Sequence, residues 1–214
     1  MIEAPTITAS EQTRARLLTA AREVFSQLGF QGATVREICR RAGANVAAVN
    51  YHFGSKDGLL AEALNFAPLA AMQNENFKAD KCPQMRLRLF VRDFLAMLLD
   101  EKNHSAQCRI MARELTDPTP ALDKIVRDAI APLHRFLGEL VREIIGDKVD
   151  EAELRRHVHS ILGQCLFYRH SQPVLQRLHP KLRYDHKEIE AIAMHIAEYS
   201  LAGINHFAKI QIGK

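Results

Sequence analysis

The sequence predicts an all-α protein, with an N-terminal three-helix helix-turn-helix head and a C-terminal helical bundle that dimerises. Three observations predict it. Apolar residues recur at three- and four-residue spacing, capping residues stand where those runs begin, and no stretch alternates apolar and polar residues as a strand would. A length of 214 residues is enough to bury a sizeable core as one large or two small domains.

Residues 1–9 form a polar, proline-containing lead that is expected to stay mobile. The head, residues 10–56, opens with Thr8 or Ser10 as a cap, and Leu17, Ala21, Val24, Phe25 and Leu28 give its first helix one apolar face. Gly29 followed by Phe30 fits a left-handed glycine terminus with an apolar residue folding back, and Gly32 gives the following turn further freedom. Thr34 with Glu37 reads as a capping box; Val35, Ile38, Cys39 and Ala42 form the buried side of the second helix, and Gly43 stops it. Asn45 suits the N-cap of the third helix. Val49 and Phe53, four apart, share its buried side, so Val46, Ala47, Asn50 and Tyr51 face outward.

Ser55 caps a connecting helix over 57–80, with Asp57 in its first turn and Leu59, Leu60, Ala63 and Leu64 continuing it. Pro68 lacks an N–H and predicts a kink or end there. Residues 81–214 are read as a second helical domain. A helix from Pro83 to about 101 is apolar around most of its circumference and so buried, and a shorter one follows over 106–115. Pro120 opens the next helix, which reaches Ile145 with a kink or break near Ile130 ahead of Pro132. Asp150 caps a helix over 151–171, Pro173 and Pro180 delimit an irregular link, and the last helix spans about 187–208. These last two long helices need an apolar cover, which a second copy of the chain would supply.

The formal net charge of +4 permits a polyanion partner without requiring one. Its location says more: between residues 11 and 56, seven basic residues stand against three acidic ones, an excess of four. The N-terminus lacks the pattern of a signal peptide and no apolar run is long enough to span a bilayer, so a cytoplasmic protein without membrane contact is expected. Cys39, Cys82, Cys108 and Cys165 lack Cys-x-x-Cys spacing and read as reduced thiols. His104 with Cys108, or His157 with His159, offers half a metal site without a third ligand, so no metal and no cofactor is expected. No nucleophile elbow, Walker loop, zinc-protease helix or dinucleotide fingerprint is present, so the chain does not read as an enzyme.

Thr34-x-x-Glu-Ile, Ala-Gly at 42–43, a short helix, and Tyr-His-Phe-x-Ser-Lys at 51–56 before Leu59-Leu60 resemble the TetR family of bacterial repressors. Residues 109–119 and 164–171 look like the C-terminal domain of its CecR-type (formerly YbiH) subgroup. The resemblance implies a homodimer whose two heads enter successive major grooves of a double-stranded DNA operator and are released by an unidentified small-molecule effector, with residues 81–214 as the ligand-binding and dimerisation domain that pairs through its last two long helices. Carried over by position, Arg36, Val46, Ala47, Ala48, Asn50, Tyr51 and His52 face DNA, and Thr34 and Lys56 bind phosphate. The residue chemistry agrees: Arg36 suits a guanine edge, Asn50 an adenine or a phosphate, and Ala47 or Ala48 a thymine methyl. Asn50 departs from the family pattern, where an aromatic is usual.

For the effector, Phe90, Phe94, Met97, Met111, Phe136 and Phe167 are apolar candidates, and Arg109, Arg113, His134, Gln164, Tyr168 and His170 are polar candidates for orienting it, with Glu114 or an anionic ligand as a partner for a buried Arg. Aromatic and Met residues at helical spacing are also what a plain core uses. The reading is a dimeric repressor released by an effector; the alternative is a constitutive DNA-binding or architectural protein of the same fold without an inducer pocket.

Overall fold

A computed structural model describes residues 8–64, 67–72, 81–99, 101–146 and 149–212. Every regular element among these residues is helical. Helix α1, Ala9–Gly32, starts on Thr8, whose hydroxyl accepts from Glu11 N while the Glu11 carboxylate accepts from Thr8 N. This reciprocal pairing satisfies two donors that a helix start leaves open. At Gly29 φ is +70°, a backbone that favours glycine, and Phe30 folds back with its ring 6.1 Å from that of Phe25.

Helix α2, Val35–Ala42, is capped by Thr34 and ends at a left-handed Gly43. Only half of the expected capping box forms: Thr34 accepts from Glu37 N, but the Glu37 carboxylate turns to Arg40 and Arg41. Two guanidiniums within reach outbid a single backbone N–H, since charge-assisted hydrogen bonds are roughly twice as strong as neutral ones. Helix α3 covers Ala47–Phe53; Val46 holds its N-cap position, and Asn45, expected as the cap, stands one residue earlier and accepts from Ala47 N at 2.9 Å. Helix α4, Lys56–Ala63, is capped by Ser55, which accepts from Gly58 N.

The chain divides into two compact units, Met1–Phe66 with Ser105–Asp128, and Ala67–His104 with Ala129–Lys214. In the first, α1 packs on α2, α3 and α4, around Leu17, Phe25, Ile38, Val49, Phe53, Leu59 and Leu60, all buried. Two segments that lie far along the chain join it. Helix α7, Glu101–Thr116, contributes Arg113, whose guanidinium donates to the Gln27 carbonyl at 3.0 Å, and helix α8, Pro120–Ile125, packs on α4. Glu114 is buried, and its carboxylate accepts from Thr119 N and the Thr119 hydroxyl, which caps α8. It therefore serves a helix start and not a buried arginine, since Arg109 and Arg113 are both exposed.

The second unit contains helix α5, Ala67–Met72, which carries Pro68 as its second residue; the connection at 65–66 and the remainder of the expected connecting helix at 73–80 lie outside the described residues. Its bundle is formed by α6, Pro83–Leu99, α9, Ala131–Ile145, α10, Glu151–His170, and α12, His186–Ile212. Between α8 and α9 the backbone is π-helical over Val126–Ile130. A widened turn there accommodates Pro132, whose ring would crowd the carbonyl four residues earlier and which has no N–H to donate. The link expected to be irregular between Pro173 and Pro180 is in fact a short helix α11, Gln172–Leu178. Pro173 lies in its first turn, where a missing N–H costs nothing, so the residue opens a helix there instead of breaking one.

Candidate nucleic-acid interface

Helix α3 puts its apolar side into the head and its polar side into solvent. Val49 and Phe53 are buried, Ala48 is half-buried, and Ala47 and Asn50 are exposed, with Val46 and Tyr51 at 48% and 81% exposure. The Tyr51 ring meets the His52 ring edge-on at 4.8 Å, and the half-buried His52 lies 5.9 Å from the ring of the buried Phe53, so the aromatic run passes from core to solvent in three residues. Phe53 is itself gripped from α1, whose Arg14 guanidinium sits 5.4 Å above its ring and pairs with Glu62 on α4.

The flanking cations are held in different ways. Arg36 is exposed, with no hydrogen bond or ion pair among the described residues. Arg40 and Arg41 are both tied to Glu37, and Arg41 also donates to the Gln27 side chain at 3.1 Å. Hydrogen bonds from Arg40 and then Arg41 pull the Glu37 carboxyl down to about 2, so it stays ionised across the working pH range. Thr34 is exposed, with its hydroxyl engaged at the α2 start. Lys56 lies with its Nζ 4.2 Å from the Phe30 ring centroid, and partial burial lowers its pKa. Phe30 thus forms a platform for Lys56 that spacing did not reveal, because the residues are 26 apart in the chain and meet only when α1 folds against α4.

Sequence reasoning also missed Gly58. A Cβ there would lie 2.1 Å from the Phe53 carbonyl oxygen, so only glycine permits the close turn between α3 and α4. The signal was available as a glycine three residues after the Ser55 cap.

The effector candidates divide between the two units. In the second, Phe90 and Phe94 are buried and stacked at 5.5 Å, with Phe136 5.9 Å from Phe90 and Met97 half-buried on the same helix. His134 faces His159 at 5.4 Å, Gln164 donates to the Ser200 hydroxyl at 3.3 Å, Tyr168 is half-buried, and Phe167 is 52% exposed. In the first unit, Arg109 is exposed, Met111 is half-buried, and Arg113 is committed to Gln27. Among the described residues no group of three or more His, Cys, Asp or Glu gathers as a metal site, and no helix is long and apolar enough to cross a membrane.

Family models place the arrangement. Residues 17–63 match the bacterial regulatory proteins of the tetR family, and residues 83–204 match the C-terminal domain of the HTH-type transcriptional dual regulator CecR. The chain is a TetR-family transcriptional regulator with a CecR-type C-terminal domain. The regulator is 28% identical over 172 residues to CecR of Shigella flexneri, covering 74% of its own length and 76% of that protein. It is also 28% identical over 136 residues to the probable regulator YttP of Bacillus subtilis, with 61% and 63% covered. A putative transcriptional regulator from Pseudomonas aeruginosa shares its fold at a TM-score of 0.67 and 23% identity, over 94% of this chain and 96% of that one. FadR from Bacillus subtilis, solved in complex with stearoyl-CoA, does so at 0.66 and 17%, over 88% and 98%. The regulator therefore binds DNA as a family property, and its relatives are regulators of transcription and not enzymes.

Proposed function

We propose that the regulator is a homodimeric repressor that leaves its operator when a small-molecule effector binds its helical bundle. The observation that carries the DNA half is the outward face of α3: a short helix anchored by Val49 and Phe53 presents Ala47, Asn50 and an 81%-exposed Tyr51. Side chains of this size on a protruding helix suit a major groove about 12 Å wide. In this reading Arg36, Val46, Ala47, Ala48, Asn50, Tyr51 and His52 face DNA, and Thr34 and Lys56 hold phosphates. A repressor acting on the cell's own DNA would work in the cytoplasm.

Two substitutions separate the roles. Arg36→Ala is expected to cost roughly 1–3 kcal/mol and to relax preference at one base pair of each half-site; unchanged selectivity in competition binding would reject a base contact. Lys56→Ala is expected to weaken all duplexes alike and to reduce the slope of log affinity against log salt by about 1, with a sequence-selective loss as the contrary result.

The pairing of two chains is supported by apolar surface on the last long helices of the bundle. Phe167 on α10 is 52% exposed, and Met194, Tyr199 and Phe207 on α12 are 55%, 68% and 41% exposed. Side chains this large are costly to leave in water, and a symmetric partner would cover them. Sedimentation at micromolar concentration is expected to report a dimer. A stable monomer that still binds operator tightly would reject the assembly.

Release by an effector would act as a population shift: the ligand favours a state in which the two recognition helices no longer match a one-turn groove spacing, and by linkage DNA weakens the ligand equally. That FadR, with the same fold, was solved with stearoyl-CoA supports an effector-binding bundle. The packing of Phe90, Phe94 and Phe136 on one another favours the second reading, a constitutive DNA-binding protein with a filled core.

A further inference from the structure

An open cleft of about 350 Å³ runs between α9 and α10, within the second unit. Its walls are two helical stripes. His134, Arg135, Glu139 and Arg142 stand on α9, and Glu151 and Arg155 on α10. Leu154 and Val158, both buried, form an apolar floor. Gly138 faces Leu154: a Cβ at that position would lie 3.7 Å from Leu154 Cδ2, an ordinary contact distance.

The charges in this cleft do not cancel, with three arginines against two glutamates. Arg142 is taken by Glu151 at 2.5 Å. Arg135 and Arg155, one from each wall, are exposed and have no ion pair or hydrogen bond among the described residues. His134, at the same end, faces the His159 ring at 5.4 Å. Burial first, and then the facing His159, hold His134 below the usual imidazole range, so it is a neutral hydrogen-bonding group at neutral pH.

We propose that this cleft binds a small amphiphilic anion, an aryl or alkyl carboxylate or phosphate ester, with its charged end between Arg135 and Arg155 and its apolar end on Gly138, Leu154 and Val158. Planar guanidiniums present paired donors that match carboxylate and phosphate oxygens, and two of them on opposite walls fix one end of a ligand. The apolar floor distinguishes the ligand from a bare inorganic ion, and a cleft of this volume falls at the small end of known ligand sites. The site is separate from Phe90, whose ring lies 5.5 Å from that of Phe94 and 5.9 Å from that of Phe136, none of which lines the cleft. Binding here does not depend on whether occupancy releases DNA, so a protein that proves constitutive on its operator would still show it.

The test is titration of the full chain, by calorimetry, with phenyl phosphate, benzoate, inorganic phosphate and neutral benzamide. Phenyl phosphate or benzoate is expected to bind about tenfold or more tighter than benzamide, a difference on the scale of one charge-assisted hydrogen bond. Which of the two anions binds tighter identifies the favoured headgroup. Arg135→Gln and Arg155→Gln are each expected to weaken the better anion about tenfold without lowering the melting temperature, because both side chains are exposed. Gly138→Ala, which fills part of the floor and is favoured in a helix, is expected to weaken phenyl phosphate more than inorganic phosphate. Benzamide binding as tightly as both anions, or full affinity in both arginine variants, would overturn the proposal. Equal affinity for inorganic and phenyl phosphate would overturn its apolar half.

Discussion

Gly58→Ala is expected to lower the melting temperature of the regulator and to cut operator affinity at least tenfold. In an ordinary helix the change would stabilise, since alanine is favoured over glycine by about 1 kcal/mol. Here the added Cβ would stand 2.1 Å from the Phe53 carbonyl oxygen, which is backbone and cannot rotate away. Relief requires α3 and α4 to separate. Overpacking of this kind costs roughly 1–3 kcal/mol, which outweighs the propensity gain. The separation also displaces the end of α3, and with it Tyr51 and His52, whose rings meet edge-on next to Phe53. Thermal denaturation and operator titration check the two effects together. A variant as stable and as tight as its parent would mean that the turn can open without cost.

Phe90→Ala is expected to destabilise the chain by about 3–5 kcal/mol in denaturant unfolding, the range for emptying a phenylalanine site in a packed core. Phe90 is fully buried between Phe94 and Phe136, so the neighbours cannot close over the void without leaving their own positions. The magnitude also decides between the two readings of these aromatics. A residue lining an effector cavity already faces empty space, and its truncation would cost far less stability while changing the response to effector. A loss below about 1 kcal/mol would therefore move Phe90 from core to pocket wall.

Local chemistry was the legible part of this chain. Thr8, Thr34, Asn45, Ser55 and Asp150 each accept a hydrogen bond at a helix start, because a cap is decided within three residues of sequence. The strain ahead of Pro132 was legible for the same reason, though its form, a π-helical stretch, was not. Errors arose where two local rules competed. Glu37 had a backbone N–H and two arginines within reach and took the arginines, and Pro173 could break a helix or begin one and began it. What no local rule contains is distance in the chain: the seat of Lys56 on Phe30 and the grip of Arg113 on Gln27 join residues 26 and 86 positions apart. The effector set was the least legible, since a buried aromatic at helical spacing has the same pattern whether its neighbour is another ring or a ligand.

The inclusion of Ser105–Asp128 in the first unit bears on how members of this family can be recombined. A chimera cut after residue 64 would graft a reader stripped of Ile110, Ala121 and Ile125, three buried side chains that belong to its unit. The transferable cassette is discontinuous. A graft that exchanges DNA specificity and keeps its stability has to carry α8 and the C-terminal part of α7 along with the first four helices, as a two-piece insertion around a retained α6.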